Sequence, residues 1–529
     1  MNTALSEKRA WPFFLMCILV AFYLILILQL SLVRLWPLWL TLAAGVLLSV
    51  FLIMLSRKTE TYGLFLPETP APFRLPVFAG FFLASTAVRL LFLLAYFPGG
   101  ASSDTLIQWQ QIRLGQFDDW HPALHTLYEW AVTRIIPHPG ALLILQDLFF
   151  SLSVAYSCSV LWRWQLPKPL VLGVPAYICL NPATASLLTF IWKDCAFATF
   201  ILLLSGQILA ILFSRGTWLH RKRNLLAFSA VLCLCSILRH NGMAATLPVI
   251  LWLLISLTGH RRQVVLSAVL CLLLYAGIRG PLYSAFHVTP AERRLEETYG
   301  VPITILSHVY AVKPDSLDEE TRIFLETIAP QSVFAEHDSP GDWNETKWYV
   351  SPGNLSAYTL PQVFLFALRA FAAEPALATE ALSGLWRMPL LPFGDAYWRM
   401  TPYIESAESA AYAGYTFTLQ GSPVLRYLLN GICRHTARPL FSWLFWNPGF
   451  PLLLVMLACV AFAGKRPPAA LTLPAMMIGY SFATALVLSS PTDFRFFLCI
   501  PLSAPLAIAG LVAIPHRQHG RLPDDRKTL

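Results

Sequence analysis

Charge is what this chain has least of. Of its 529 residues only 13% are Asp, Glu, Lys or Arg, against 56% that are hydrophobic, and the mean hydropathy is +0.58. A water-soluble chain of this size needs far more polar surface, so a soluble globular fold is excluded. No small-residue cleavage site follows the first apolar run, Trp11 to Leu32, so the run behind Lys8 and Arg9 reads as a retained helix and not as a signal peptide. Disulfide and zinc motifs are missing as well. Nine of the ten cysteines (Cys17, Cys158, Cys179, Cys195, Cys233, Cys235, Cys271, Cys459 and Cys499) lie in or at the ends of apolar runs, and only Cys433 falls in a large loop. No internal repeat relates the first half of the apolar runs to the second.

What the chain does have is runs of roughly 20 apolar residues, the length that crosses a hydrocarbon core. They fall at about 11–32, 35–55, 75–97, 139–162, 168–188, 194–214, 224–239, 242–258, 264–281, 438–463, 468–490 and 495–514. The expected fold is an all-α polytopic membrane protein with about 12 transmembrane helices. Basic residues gather at every second connection: Lys8 and Arg9; Arg57, Lys58 and Arg74; Arg163 and Lys168; Arg215, Arg221, Lys222 and Arg223; Arg261 and Arg262; Lys465 and Arg466; and Arg517, Arg521, Arg526 and Lys527. Positive residues in short loops mark the cytoplasm, which puts both termini inside a cell (inner or plasma) membrane. From Pro281 to Ala437 there are 10 basic against 17 acidic residues, a net of −7, which leaves +16 for the rest of a chain whose total is +9. The basicity therefore follows topology, and nucleic acid is not an expected partner.

Three regions follow. Residues 1–281 form an N-terminal transmembrane region with a first outward loop at 98–138, residues 282–437 a mainly helical extracytoplasmic domain, and residues 438–529 a C-terminal transmembrane region with a cytoplasmic tail. The stretch 361–386 is apolar but interrupted by Arg369, Glu374, Pro375 and Glu380, and reads as helices lying in the interface.

Ionisable groups inside or beside spans are costly and mark functional sites. Asp104, on the glycine turn Pro98-Gly-Gly-Ala-Ser-Ser-Asp104, suits a base for a hydroxyl or a cation ligand; Ser-Ser-Asp is also good helix-capping chemistry. Asp118, Asp119, His121 and His125 form a polar group with Glu129 nearby. The four-residue spacing of the two histidines is compatible with a metal, but no zincin glutamate accompanies it, which favours substrate hydrogen bonding, capping or packing. Lys193 and Asp194 are adjacent at the start of a span and so point apart, leaving Lys193 to meet an anion. Arg239, His240 and Asn241, followed by Gly242, suit a phosphate, with snorkelling of Arg239 as the alternative. Asp493 and Arg495 open the last span, Arg279 ends another, and Arg89 with Asp147 reads as a buried ion pair.

The residues Pro98-Gly-Gly with Asp104, Trp120-His121-Pro122 with His125, Asn181-Pro182, Trp192-Lys193-Asp194, Arg239-His240-Asn241-Gly242 and Asp493-Phe-Arg495 resemble the polytopic GT-C glycosyltransferases, and more narrowly a poorly characterised bacterial group with the same layout. The likeness spans roughly residues 75–281 and 438–514. It implies a membrane glycosyltransferase that moves a sugar from a polyprenyl-phosphate donor to an extracytoplasmic acceptor by inverting displacement, with membrane lipids around it. Asp104 would be the catalytic residue. Lys193, Arg239, His240 and Arg495 would bind the donor phosphate, while Asp118, Asp119, His121, His125, Asp194, Asn241 and Asp493 would support the acceptor or the site. Unlike many relatives, the chain has Ser103 and not a second acid beside Asp104, which leaves a divalent cation, Mg or Mn, open at Asp104. The rival readings are a secondary transporter of 12 spans and a non-catalytic envelope assembly protein. Transporters carry repeat symmetry and midplane polar groups, and neither is visible here.

Overall fold

An apolar run with no water around it can satisfy its backbone only within a helix, and the chain folds accordingly. A computed structural model describes residues 2–32, 37–58, 64–291, 295–393, 401–405, 418–462, 468–487 and 493–515. The N-terminal helices are α1 (Asn2–Ser31), α2 (Leu38–Lys58), α3 (Leu75–Tyr96), α4 (Ser103–Leu114), α5 (Ala123–Ile135), α6 (Pro139–Arg163), α7 (Lys168–Leu180), α8 (Pro182–Leu187), α9 (Lys193–Phe213), α10 (Lys222–Ile237), α11 (Met243–Ser256) and α12 (Arg261–Gly277). The architecture is almost wholly helical. Among the described residues the departure is a parallel pair of three-residue strands, β1 (Leu64–Leu66) on β2 (Ala513–Pro515), which ties the connection before α3 to the end of the last helix.

The expectation of a polytopic membrane protein is met, and that of about twelve spans is met in part. Seven helices among the described residues are long and apolar enough to cross a membrane: Phe13–Ser31, Leu75–Tyr96, Pro139–Arg163, Lys193–Phe213, Thr258–Ala285, Pro468–Leu486 and Phe494–Val512. An eighth exists if Pro439–Phe445 and Gly449–Phe462, bent by 61°, are one span. The other four expected spans are shorter helices. Trp39–Leu55 is the apolar part of α2, and α10 and α11 are 16 and 14 residues long. The run 168–188 is cut because the Asn181 side chain accepts hydrogen bonds from the amides of Ala183 (3.0 Å) and Thr184 (3.3 Å), starting α8 at Pro182. The tail 516–529 and the Lys465–Arg466 loop lie outside the described residues.

α9 is the axis of the bundle. Its most apolar stretch is 83% buried inside the protein, against 17% for α3 and for the helix through α12, which face outward. Small residues allow the close approach: a Cβ on Gly206 would meet the Ser157 hydroxyl at 2.4 Å, and the Ser205 hydroxyl reaches that of Ser503 at 3.1 Å. All ten cysteines are buried and unpaired.

The region after α12 has its own core of Tyr310, Phe324, Trp343, Val363 and Phe366. The stretch 361–386 forms two helices, Leu360–Ala373 and Pro375–Leu390. The first buries Val363, Phe366, Ala367 and Ala370 in that core. The second lies on the bundle, where the Ser383 hydroxyl donates to Leu30 O (2.8 Å) and the Trp386 indole to Ala485 O (3.1 Å).

Candidate functional site

The turn after α3 is fixed by two glycines with different tasks. Gly99 sits at φ +124°, a conformation open to glycine alone at little cost, and at Gly100 a Cβ would meet the Phe190 ring at 2.5 Å. The bare backbone therefore hydrogen-bonds to the segment before α9: Gly100 N to Thr189 O at 3.0 Å and Ile191 N to Gly100 O at 3.2 Å. Trp192 stacks on Phe190 (3.9 Å between centroids) and its indole donates to the Ser102 hydroxyl at 2.7 Å. These contacts place the first turns of α4 and α9 side by side.

Asp104 is not the cap of α4: the N-cap position is Ser102, which makes no side-chain capping hydrogen bond. Its carboxylate turns toward α9 and the last helix instead. A single oxygen, Oδ2, accepts from Lys193 Nζ at 2.8 Å and from the Arg495 guanidinium at 3.0 Å. Arg495 also pairs with Asp493 at 2.9 Å and lies over the Trp192 and Phe496 rings, each 5.0 Å from its centroid. Behind this layer, Lys193 stands 4.0 Å from Asp194, whose carboxylate is engaged by Arg239. Arg239 Nε donates to the Asn241 side chain (3.0 Å), which donates in turn to Thr484 (2.9 Å), and the guanidinium rests 4.8 Å above Phe496. The result is two layers. Asp104, Lys193 and Arg495 keep 13–19% of their side-chain surface exposed, while Asp194 is sealed at 0%.

Three cations thus meet three carboxylates. Burial alone would raise the Asp104 carboxyl, but Arg495 and then Lys193 outweigh it and hold the group well below the usual carboxylate range. His121 is pushed down to about 3 by burial first and then by Lys193, against the opposing pull of Asp104, so it stands neutral with its Nε2 lacking a partner among the described residues.

The other expected residues take different places. His121 precedes α5, so the two histidines do not share a helix face. His125 Nδ1 meets the Gln108 amide at 3.1 Å, and burial followed by Lys193 lowers it to about 3. Asp118 accepts from Trp120 N (2.9 Å); Asp119 accepts from Ala123 N at the start of α5 (3.0 Å) and pairs with Arg279. Both hold the loop and not the Asp104 group. His240 is exposed and 3.2 Å from Trp120 O. Arg89 and Asp147 form the expected buried pair at 2.7 Å. Among the described residues no three His, Cys, Asp or Glu side chains gather into an all-protein metal cage, and the Asp104 oxygen that would ligate Mg or Mn already accepts from Lys193 and Arg495.

Two features escape sequence reasoning. The Glu405 carboxylate accepts from the Ser103 amide at 2.5 Å, satisfying the start of α4 from 302 positions away. Beside the charged group lies an apolar slot of about 250 Å³ between α5, α6, α9 and α10, lined by Phe149, Phe200, Leu234 and Leu238. Among its lining residues are Tyr128 and Glu129, whose hydroxyl and Oε1 have no hydrogen-bond partner among the described residues, with His125 Nδ1 3.6 Å from Glu129 Oε1; burial raises the Glu129 carboxyl well above its usual range.

With that geometry in place, the comparisons add one finding. Residues 140–345 match a family of unknown function, DUF6020. That stretch carries Lys193, Asp194 and Arg239 but neither Asp104 nor Arg495. No curated protein and no solved structure matches the chain.

Proposed function

We propose that the chain is a membrane glycosyltransferase that takes a sugar from a polyprenyl-phosphate donor and passes it to an acceptor hydroxyl on the extracytoplasmic side, with the Asp104 end of the bundle facing outward and both termini in the cytoplasm. The observation that carries this reading is the shared oxygen of Asp104. A carboxylate clamped by two partly exposed cations is a poor base, and it becomes a better one when another anion takes those cations away. The donor phosphate is such an anion, and the apolar slot beside the cluster suits the first units of its lipid chain.

In this scheme Lys193 and Arg495 move from Asp104 to the phosphate, using charge-assisted hydrogen bonds. The acceptor oxygen attacks the anomeric carbon opposite the phosphate. As the new C–O bond forms, the bond from carbon to phosphate oxygen breaks, its electron pair leaves with the lipid phosphate, and the hydroxyl proton passes to Asp104. Lys193 and Arg495 stabilise the charge growing on the leaving phosphate, a type of interaction worth roughly 10²–10³ in rate. Arg239, engaged by Asp194 and stacked on Phe496, positions Lys193 through Asp194 and does not touch the donor. Asp493 holds Arg495 in the same way.

One observation favours a transporter instead: the helix pair broken at 61° between Phe445 and Gly449, since discontinuous spans line transport sites. Transfer of labelled sugar from polyprenyl phosphate in proteoliposomes separates the two. Asp104→Asn is expected to lose about 10²–10⁴-fold in transfer at unchanged thermal stability. Full transfer by that variant contradicts the role of Asp104, and uptake of solute without transfer favours the transporter.

A further inference from the structure

At the opposite end of α6 and α9 the chain folds around a second cavity, of about 720 Å³. The 21 residues of α9 place it about 30 Å from Lys193 at ~1.5 Å per residue. Its walls are the segment after β1 (67–70), the last turns of α6 and α9, the turn leading into α10, and His260. Tyr156, Trp164, Phe213 and Trp218 supply aromatic surface.

Four arginines line this recess, Arg163, Arg215, Arg221 and Arg223, and Glu68 is the one carboxylate in the lining. Among the described residues none of the four is in an ion pair; Arg163 donates its Nε to Ala71 O at 2.9 Å. The contrast with the Asp104 end is chemical, because there every cation meets a carboxylate. Basic loop residues on the cytoplasmic side are expected from topology alone. Topology does not account for their convergence: Lys222 belongs to the same basic run, yet it does not line the cavity. Arg163 is half-buried and Arg215, Arg221 and Arg223 are exposed, so their guanidinium groups are open to an anion entering from water, and the planar fork matches phosphate oxygens in pairs. The volume falls in the range of small-molecule sites, about 300–1,000 Å³, so it admits a phosphate with an organic group attached.

We infer that this cavity binds the phosphate group of an anionic ligand, independently of the reaction proposed at the other end. Two sources share that chemistry, a soluble phosphate compound and an anionic lipid headgroup from the adjacent leaflet. Full-length protein in phosphatidylcholine nanodiscs is titrated calorimetrically with inorganic pyrophosphate, and in a second arm lipid retention is measured by native mass spectrometry with phosphatidic acid. Arg221→Gln with Arg223→Gln is compared with a charge-matched control, Lys222→Gln with Arg262→Gln, whose residues do not line the cavity. The expected result is a loss of at least about tenfold in one arm for the arginine pair, with the control within about twofold of the parent protein. The arm that responds identifies the source. Absence of binding in both arms, or equal losses in the two double variants, overturns the inference.

Discussion

Two ion-pair groups flank the junction between α3, α6 and α9, and they are built on opposite principles. Arg89 and Asp147 are 1% and 8% exposed, and the Arg89 guanidinium is further occupied by Ala185 O and the Thr189 hydroxyl. Each guanidinium nitrogen makes a hydrogen bond and both side chains are sealed from solvent, while Asp147 Oδ2 has no hydrogen-bond partner among the described residues. Asp104, Lys193 and Arg495 are partly open, and two cations compete for one carboxylate oxygen. The first arrangement holds helices together. The second has cations ready to be claimed by a stronger anion, which distinguishes a group available for chemistry from one that serves packing.

The sharpest way to break this comparison is to cut one partner from each group. Asp147→Ala leaves Arg89 charged and sealed, and the expected loss is about 3–5 kcal/mol, read as a fall in Tm of the purified protein. Replacing both partners, Arg89→Met with Asp147→Leu, is expected to recover most of it, because an apolar pair of similar volume removes the unpaired charge. Asp104→Ala is expected to cost much less, since Lys193 and Arg495 keep access to solvent and Arg495 keeps Asp493. Equal losses at the two sites would show that exposure does not separate them.

A smaller effect sharpens the account of the Asp104 end. His121 is held neutral, with its folded pKa about 3 against an ordinary value near 6.5. The unfolded chain therefore binds more protons between those values, and the contribution of His121 to stability, present above pH 6.5, is lost as pH falls. In His121→Asn the slope of Tm against pH from 6.5 to 5 is expected to be shallower than in the parent protein. An unchanged slope would mean that His121 is charged in the folded state.

How much of this was legible in the sequence depends on what kind of signal each residue leaves. Asp104, Lys193 and Arg495 stood out because ionisable groups beside apolar runs have few places to go, and the structure brings them together. Pro98-Gly-Gly announced a turn, and only coordinates revealed that Gly100 is there for the Phe190 ring. Asp118 and Asp119 were ambiguous in the sequence, because a carboxylate that holds a turn and one that meets a substrate look alike in a string of residues. The count of twelve spans exceeds the helices long enough to cross by length alone, because local chemistry cuts some apolar runs, as Asn181 does by capping α8. Glu405 left no signal at all, since its partner, the amide of Ser103, lies 302 positions away. The pairing of Arg239 with Asp194 was hidden for a related reason: it is a product of how α9 and the end of α10 pack.

The most direct test of the account is a structure of the protein with polyprenyl phosphate bound in a lipid nanodisc. The account predicts the phosphate oxygens at hydrogen-bond distance from Lys193 and Arg495, with Asp104 released from both and the chain in the slot beside Phe149 and Phe200. A bound lipid that leaves the Asp104, Lys193 and Arg495 contacts intact, with its phosphate elsewhere, would contradict it.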